Sequence, residues 1–397
     1  MARNLRVGVQ RGLRQSIGGG LGTGDIFTLS PASFDFSRTK TSDSRITFTR
    51  ASTGTFVDAD GLIQTAATNE ARFDHDPVTG ESLGLLIEKA RTNLVKYSEQ
   101  LNQWNPGPNT TVTANAATAP DGTNTADRLQ MSASGGTYLI SDNNFIVNGK
   151  TYTGSVYVKA VTPGTNDQFT FSFGGESSAN STSKFTATGD WQRFEATKTP
   201  SLSSATRPFV ISNEGDDFAV DVYVWGVQVE EAPFATSYIP TTSSQVTRAA
   251  DIAEITGTNF SSFYNQSEGT MFVDAGTSTN TVDFNIFEYS NGTLSVRHAV
   301  RYDASNSRVE FTGNTASQQY VSLSSPASIK AAATQSLGFA VNGVLTGDAG
   351  TSNSGTKTQL AIGYRSSGVV QFINGHIKRL SYFPTNLADA TLQSITF

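Results

Sequence analysis

Cysteine is absent from all 397 residues, which excludes disulfides, thiolate metal sites and cysteine nucleophiles together. Stability must then come from packing or from oligomerisation. No apolar run approaches the roughly 20 residues that span a bilayer, and the N-terminus carries no hydrophobic signal-peptide core, so the expectation is cytoplasmic synthesis without membrane insertion. A clustered surplus of Lys and Arg is also missing. With a net charge of −6 and a pI near 5.2, no surface for tracking nucleic-acid phosphates is expected. Only three histidines occur, His75, His298 and His376, far apart in the chain. A zinc site or a Ser-His-Asp arrangement would need a long-range coincidence.

Internal repeats of 20 to 50 residues are lacking too, which disfavours a β-helix. What is abundant is glycine (36), phenylalanine (25) and tyrosine (12), set among many Ser, Thr and Asn residues. Long amphipathic helical patterns are scarce, so the class is all-β, with short strands joined by polar turns. The length implies two or three domains.

The block from Ile46 to Leu94 is the most specific stretch of the chain. Phe56 and Val57 run into Asp58-Ala59-Asp60-Gly61, and Leu62-Ile63-Gln64 leaves on the other side, which predicts a hairpin. A second turn is expected at Asp76-Pro77-Val78-Thr79-Gly80, before a strand from Leu83 to Glu88. The acids Asp58, Asp60, Asp74, Asp76 and Glu81 are accounted for by turn chemistry and lack the spacing of an EF-hand. Leu94, Tyr97, Leu101 and Trp104 then recur every three or four residues after Thr92 and Asn93, which predicts a short capped helix.

These words resemble a family of tailed-bacteriophage and prophage structural proteins of the head-spike or head-fibre type. In that family R-A-S-x-x-T-F-V-D-x-x-G leads to R-F-D-x-D-P-x-T-G and then to G-L-L-I-E-x-x-R-T-N-L. The matching stretches are Arg50 to Gly61, Arg72 to Gly80 and Gly84 to Leu94, and the likeness continues to about residue 275 through Tyr223-Val224-Trp225-Gly226, Thr236-Ser237-Tyr238-Ile239-Pro240 and Asn259-Phe260-Ser261-Ser262-Phe263. The resemblance implies a place in a virion, assembled in the host cytoplasm, with other capsid, neck or tail proteins as partners and a homo-oligomer, by analogy with phage fibres a trimer. No cofactor is expected.

Five segments are expected. Residues 1–30 read as a basic, Gly-rich arm in which Arg3, Arg6, Arg11 and Arg14 anchor the chain to the particle, the alternative being a frayed terminus. Residues 31–104 form a β-hairpin collar ending in the short helix. Residues 105–235 form a jelly roll, with strands near 126–131, 151–159, 191–198 and 218–229. Val220, Val222 and Val224 share one parity while Val227 and Val229 take the other, which predicts a β-bulge at Trp225-Gly226. That strand resembles the closing strand of many carbohydrate-binding modules. Residues 236–268 read as a linker, since Pro240 and the Thr-Thr-Ser-Ser run offer little to bury. Residues 269–397 form a second sandwich whose ending resembles concanavalin-like and laminin-G-like domains. In it Leu294, Val296, His298, Val300 and Tyr302 share one strand face opposite Arg297 and Arg301, and Asn342-Gly343 marks a hairpin.

No catalytic or metal site is expected. A glycosidase needs two carboxylates about 5 to 9 Å apart across the sugar bond, and Glu288 and Asp283, at odd spacing, would face opposite sides of a regular strand. Glu214, Asp216 and Asp217 read as an exposed loop. Sugar binding needs only an aromatic platform with a few polar partners, and the residues singled out for it are Trp104, Tyr138, Tyr157 and Trp191, with core packing as the competing role for the tryptophans. The expected function is therefore a non-enzymatic virion protein displaying glycan-binding sandwiches. The alternative is a receptor-binding tail fibre adsorbing to host polysaccharide, and a depolymerase is disfavoured.

Overall fold

A computed structural model of the chain describes residues 26–41, 43–133, 137–141, 144–175, 184–201, 208–213, 218–313, 318–336, 338–346 and 355–397. Arg3, Arg6, Arg11 and Arg14, together with Glu214, Asp216 and Asp217, lie outside the described residues. The fold is all-β: the described helices are Gly257–Ser261, Asp389–Thr396 and single 3-10 turns. Two compact units divide the chain. One is Phe48–Asp251; the other joins the residues up to Thr47 with Ile252–Phe397. Residues 48–104 of the expected collar, the jelly-roll segment 105–235 and residues 236–251 of the expected linker fall in the first unit, and residues 31–47 of the collar in the second.

In the Phe48–Asp251 unit, two five-stranded sheets form the jelly roll. The first runs Gln192–Lys198, Tyr152–Ala160, Val220–Glu230, Ala126–Met131, Thr110–Ala117, and the second Phe185–Thr186, Gln168–Phe173, Phe209–Ser212, Tyr138–Ile140, Asn105–Pro106. Alternation drives this arrangement. Val156, Val158, Val222 and Val224 from the first sheet meet Phe169, Phe171, Phe173 and Phe209 from the second in one buried cluster, each side chain contributing roughly 1.5–3 kcal/mol of apolar burial. The predicted bulge is present: Tyr157 pairs with Trp225 and Ser155 with Gln228, leaving one extra residue on the Val220–Glu230 strand. Gly226 sits there at φ 64°, and a Cβ at this position would lie 3.1 Å from Tyr157 Cδ2. Gly226→Ala should therefore lower stability by about 1–2 kcal/mol, read as a shifted denaturation midpoint with an unchanged m-value.

Both predicted hairpins form, Gly54–Val57 with Ile63–Ala66 and Phe73–His75 with Ser82–Ile87, with Gly61 at φ 79° and Gly80 at φ 69°. The predicted helix does not. Arg91–Asn93 is a strand paired with Val246–Arg248, Tyr97 has φ 55°, and only Leu101–Gln103 makes a 3-10 turn. The would-be cap residues are occupied elsewhere: the Asn93 amide donates to Val227 O and Ile239 O and its oxygen accepts from Val229 N, and Thr92 pairs with Thr247 through their hydroxyls at 2.7 Å. The apolar period is real but serves the jelly-roll core, where Leu101 and Trp104 are buried.

The linker expectation also fails over 236–251. Thr236, Tyr238, Ile239 and Thr241 are buried, because Glu230, Gln228 and Ser98 bind this segment's polar groups: Glu230 accepts from Thr236, Gln228 from Ile239 N, and Ser98 Oγ from Thr241 N. At its end stands the charged centre of the unit. Arg50 Nη1 meets Asp251 Oδ1 at 3.0 Å, Arg72 Nη2 bridges Asp251 and Glu88, and Arg248 lies 3.4 Å from Glu88 and 3.7 Å from Asp251. No side chain of the five is more than 6% exposed. Ser237 N and Oγ donate to Glu88, Glu88 N to Asp251, and Arg72 Nη1 to Thr55 O. Burial pushes the Glu88 carboxyl upward, but Arg248, Arg72 and Ser237 outweigh it and hold the group well below the usual carboxylate range.

The other unit is a sandwich of the sheet Ile252–Thr256, Gln359–Ile362, Phe284–Ser290, Arg297–Asp303, Arg308–Thr312, Gln318–Ser322 with the sheet Val344–Thr346, Phe339–Val341, Ile329–Thr334, Thr270–Gly276, Gly375–Phe383, to whose last strand Ala32–Asp35 also pairs. The helix Asp389–Thr396 lays Leu392 and Ile395 on Phe272, Ala332 and Ala340. The Asn342-Gly343 turn forms, with φ 47° and 77°. His298, Val300 and Tyr302 are buried as expected, although the strand starts at Arg297 and leaves Leu294 exposed before it.

Candidate functional site

Of the aromatic residues singled out for sugar stacking, Tyr157 and Trp191 pack against one cluster around Trp225, whereas Trp104 belongs to the jelly-roll core. Trp104 is 3% exposed, donates its indole N–H to Lys96 O at 3.1 Å and meets Phe209 edge-on, so it offers no face to a ligand. Large apolar rings fill sandwich cores whenever a backbone acceptor can take the N–H. Tyr138 is half-buried over Gly107, whose missing Cβ admits the ring. Tyr157 packs against Trp225 and Tyr238 under the Arg193 guanidinium, 5.5 Å from its ring centre. Trp191 is half-exposed, donates to Thr118 O at 3.1 Å and borders the cluster of Ile63, Ala119 and Trp225.

The structure instead presents a polar cleft of about 350 Å³ on the first jelly-roll sheet. One wall is the irregular segment and 3-10 turn that carry Glu99, Gln100, Asn102 and Gln103; the other is the strand pair carrying Ala114, Asn115, Thr125 and Asp127. A local irregularity builds it. Between the pairs Ala117–Ala126 and Thr113–Arg128, three residues oppose the single residue Asp127, so Ala114-Asn115-Ala116 leaves the ladder and Asn115 takes φ 53°. Asp127, 1% exposed, accepts from Asn115 N at 3.0 Å and from Leu101 N at 2.7 Å, tying the two walls together. Burial raises its pKa and these backbone donors partly offset the rise. Glu99 is half-buried and accepts from Tyr238 Oη at 2.9 Å; burial raises its pKa, opposed by that hydrogen bond and reinforced by Asp121. Trp225 supports the floor by donating its indole N–H to Thr125 Oγ1 at 3.1 Å.

No sequence pattern singled out these residues. The available signal was Asn115, a residue tolerant of positive φ in an otherwise alternating strand, opposite an aspartate.

In the other unit, Glu288 is fully buried and accepts from Ser366 Oγ at 2.5 Å, with Arg297 at 3.5 Å. The alternation of faces expected between Asp283 and Glu288 does not hold, because the strand is not regular. A bulge between Asn285 and Phe287 shifts the register, and Asn285 Nδ2, three residues away, donates to Glu288 at 3.2 Å. Asp283 serves the turn, accepting from Ala304 N at 3.0 Å. His75 contacts Val57 O, and His298 is buried in the core. Among the described residues no group of three or more His, Asp or Glu side chains is arranged to hold a metal ion.

Residues 95–217 match the family model described as a carbohydrate binding domain, and this stretch contains every residue lining the cleft. No curated protein matches the chain. Among solved structures, the N-terminal CBM22-1-CBM22-2 tandem domain of Xyn10C from Paenibacillus barcinonensis is 12% identical, over 74% of this chain and 96% of that one, with a TM-score of 0.27. Trypanosoma rangeli sialidase in complex with sialic acid is 8% identical, over 68% of this chain and 60% of that one, also with a TM-score of 0.27.

Proposed function

We propose that this chain is a non-enzymatic display protein of a tailed-bacteriophage particle, and that its jelly roll binds glycan in the cleft between Glu99 and Asp127. The observation that carries the binding reading is the coincidence of that cleft with the stretch matching a carbohydrate binding domain. Its lining is rich in side-chain amides and carboxylates, the groups that pair with sugar hydroxyls. The particle reading rests on the motif words from Arg50 to Leu94, and on it the arm arginines Arg3, Arg6, Arg11 and Arg14 attach the chain, as a homotrimer, to other virion proteins.

The non-enzymatic reading is supported by Asp127. Its two oxygens are taken by the backbone N–H groups of Asn115 and Leu101, so it is not free to act as base or nucleophile beside Glu99. Adsorption to host polysaccharide as a tail fibre uses the same cleft and differs only in where the protein sits on the particle.

Asn102 and Gln103 are exposed at the cleft wall, so the double variant Asn102→Ala, Gln103→Ala should fold normally and bind glycans on an array at least tenfold more weakly. Unchanged binding would remove the cleft from the proposal. Release of reducing sugar from any bound glycan would sink the non-enzymatic reading, and absence of the protein from purified particles would sink the virion one.

A further inference from the structure

We infer that the cleft selects neutral polysaccharide, held by hydrogen bonds instead of ring stacking, and rejects acidic sugars. This rests on the glycan-binding reading of the same cleft and adds the class of ligand. The lining offers one carboxylate, Glu99, and four side-chain amides, Gln100, Asn102, Gln103 and Asn115, while Asp127 lies buried with both oxygens bound to backbone N–H groups, and no Lys, Arg or aromatic residue is among the lining positions.

Carboxylates accept from sugar hydroxyls, and amides both donate and accept, so a neutral sugar finds partners of either polarity. A uronate or sialate carboxylate finds none of the cationic partners that bind such groups bidentately. It meets like charge from Glu99, with Asp121 close enough to disturb that group, on a chain whose net charge is already −6. With no stacking platform, each site should bind weakly, with Kd of order 0.1–1 mM, and attachment to a polymer gains strength through repeated sites.

The test uses the full chain in affinity electrophoresis and calorimetry against neutral polymers (glucan, mannan, galactan, N-acetylglucosamine oligomers) and acidic ones (polygalacturonate, alginate, polysialate). The expected result is retardation by at least one neutral polymer, insensitive to added salt, with every acidic polymer at least tenfold weaker. Asn102→Lys, which places a cation on the wall, should narrow that gap at low salt and lose the gain at high salt. Wild-type binding to an acidic polymer as strong as to any neutral one overturns the selectivity while leaving glycan binding standing; no binding to any polymer overturns both.

Discussion

Asp251→Ala should destabilise the Phe48–Asp251 unit by about 3–5 kcal/mol, the scale for breaking a buried ion pair by removing one partner. Asp251 is completely buried and faces Arg50 through one oxygen and Arg72 through the other. Its removal leaves three buried guanidinium groups, those of Arg50, Arg72 and Arg248, against the single carboxylate of Glu88. The loss also orphans Glu88 N, which donates to Asp251. Since whole domains are stable by only about 5–15 kcal/mol, this one change should unfold the unit at moderate temperature. Arg248→Met is the comparison. Its ion contacts are the longest of the set, at 3.4 and 3.7 Å, and its loss leaves two cations for two acids, so it should cost clearly less than Asp251→Ala. Urea denaturation of both variants decides the matter; equal losses would mean that charge balance does not govern the centre.

The acidic side of the same network fixes the sign of its pH dependence. Glu88 has a folded pKa held below its ordinary 4.5, so its contribution is fully present above about pH 4.5 and is lost as pH falls toward the folded value. Lowering pH should therefore weaken this unit only in the strongly acid range.

Much of the fold was legible because its signals are local. Asp60-Gly61, Thr79-Gly80 and Asn342-Gly343 each write a turn in adjacent residues, and the valine parity switch across Trp225-Gly226 writes a bulge within a single strand. The charged centre is different in kind. Arg50 and Asp251 are 201 positions apart, and Arg72, Glu88 and Arg248 each read locally as ordinary turn or strand-end charges. The paired words Arg50-Ala51 and Arg248-Ala249 are too short for a repeat, yet both arginines enter one cluster. The misread helix from Arg91 to Trp104 has the same origin: period 3.6 fitted Leu94, Leu101 and Trp104, but the hydrogen bonds of Asn93 and Leu94 go to Val227, Val229 and Ile239, partners more than a hundred residues downstream. The polar cleft was hidden for a further reason. Its shape depends on three residues bulging over Asp127, and its lining holds no aromatic residue to mark it in the sequence.

The second large effect concerns His298 and the unit that begins again at Ile252. Its imidazole is 2% exposed, and neither ring nitrogen has a hydrogen-bond partner among the described residues. It lies directly across the strand pair from Tyr289 and beside Phe311, surroundings that favour the neutral ring. Burial, with a smaller contribution from Lys357, pulls its pKa from 6.5 down to about 3. Because the folded value lies below the unfolded one, the contribution is fully present above about pH 6.5 and is lost as pH falls, until the folded group itself protonates near pH 3. Each pH unit in that window removes up to ~1.4 kcal/mol, approaching ~5 kcal/mol in all. Between pH 6.5 and 5 most carboxylates are still ionised, so the slope there belongs mainly to histidine. His298→Leu keeps an apolar side chain of similar bulk and should hold stability nearly level across those pH values, while the wild-type unit loses about 2 kcal/mol. Thermal unfolding of both proteins at pH 7, 6 and 5 measures the difference directly, and parallel pH profiles for the two would show that the buried imidazole is not the group that titrates.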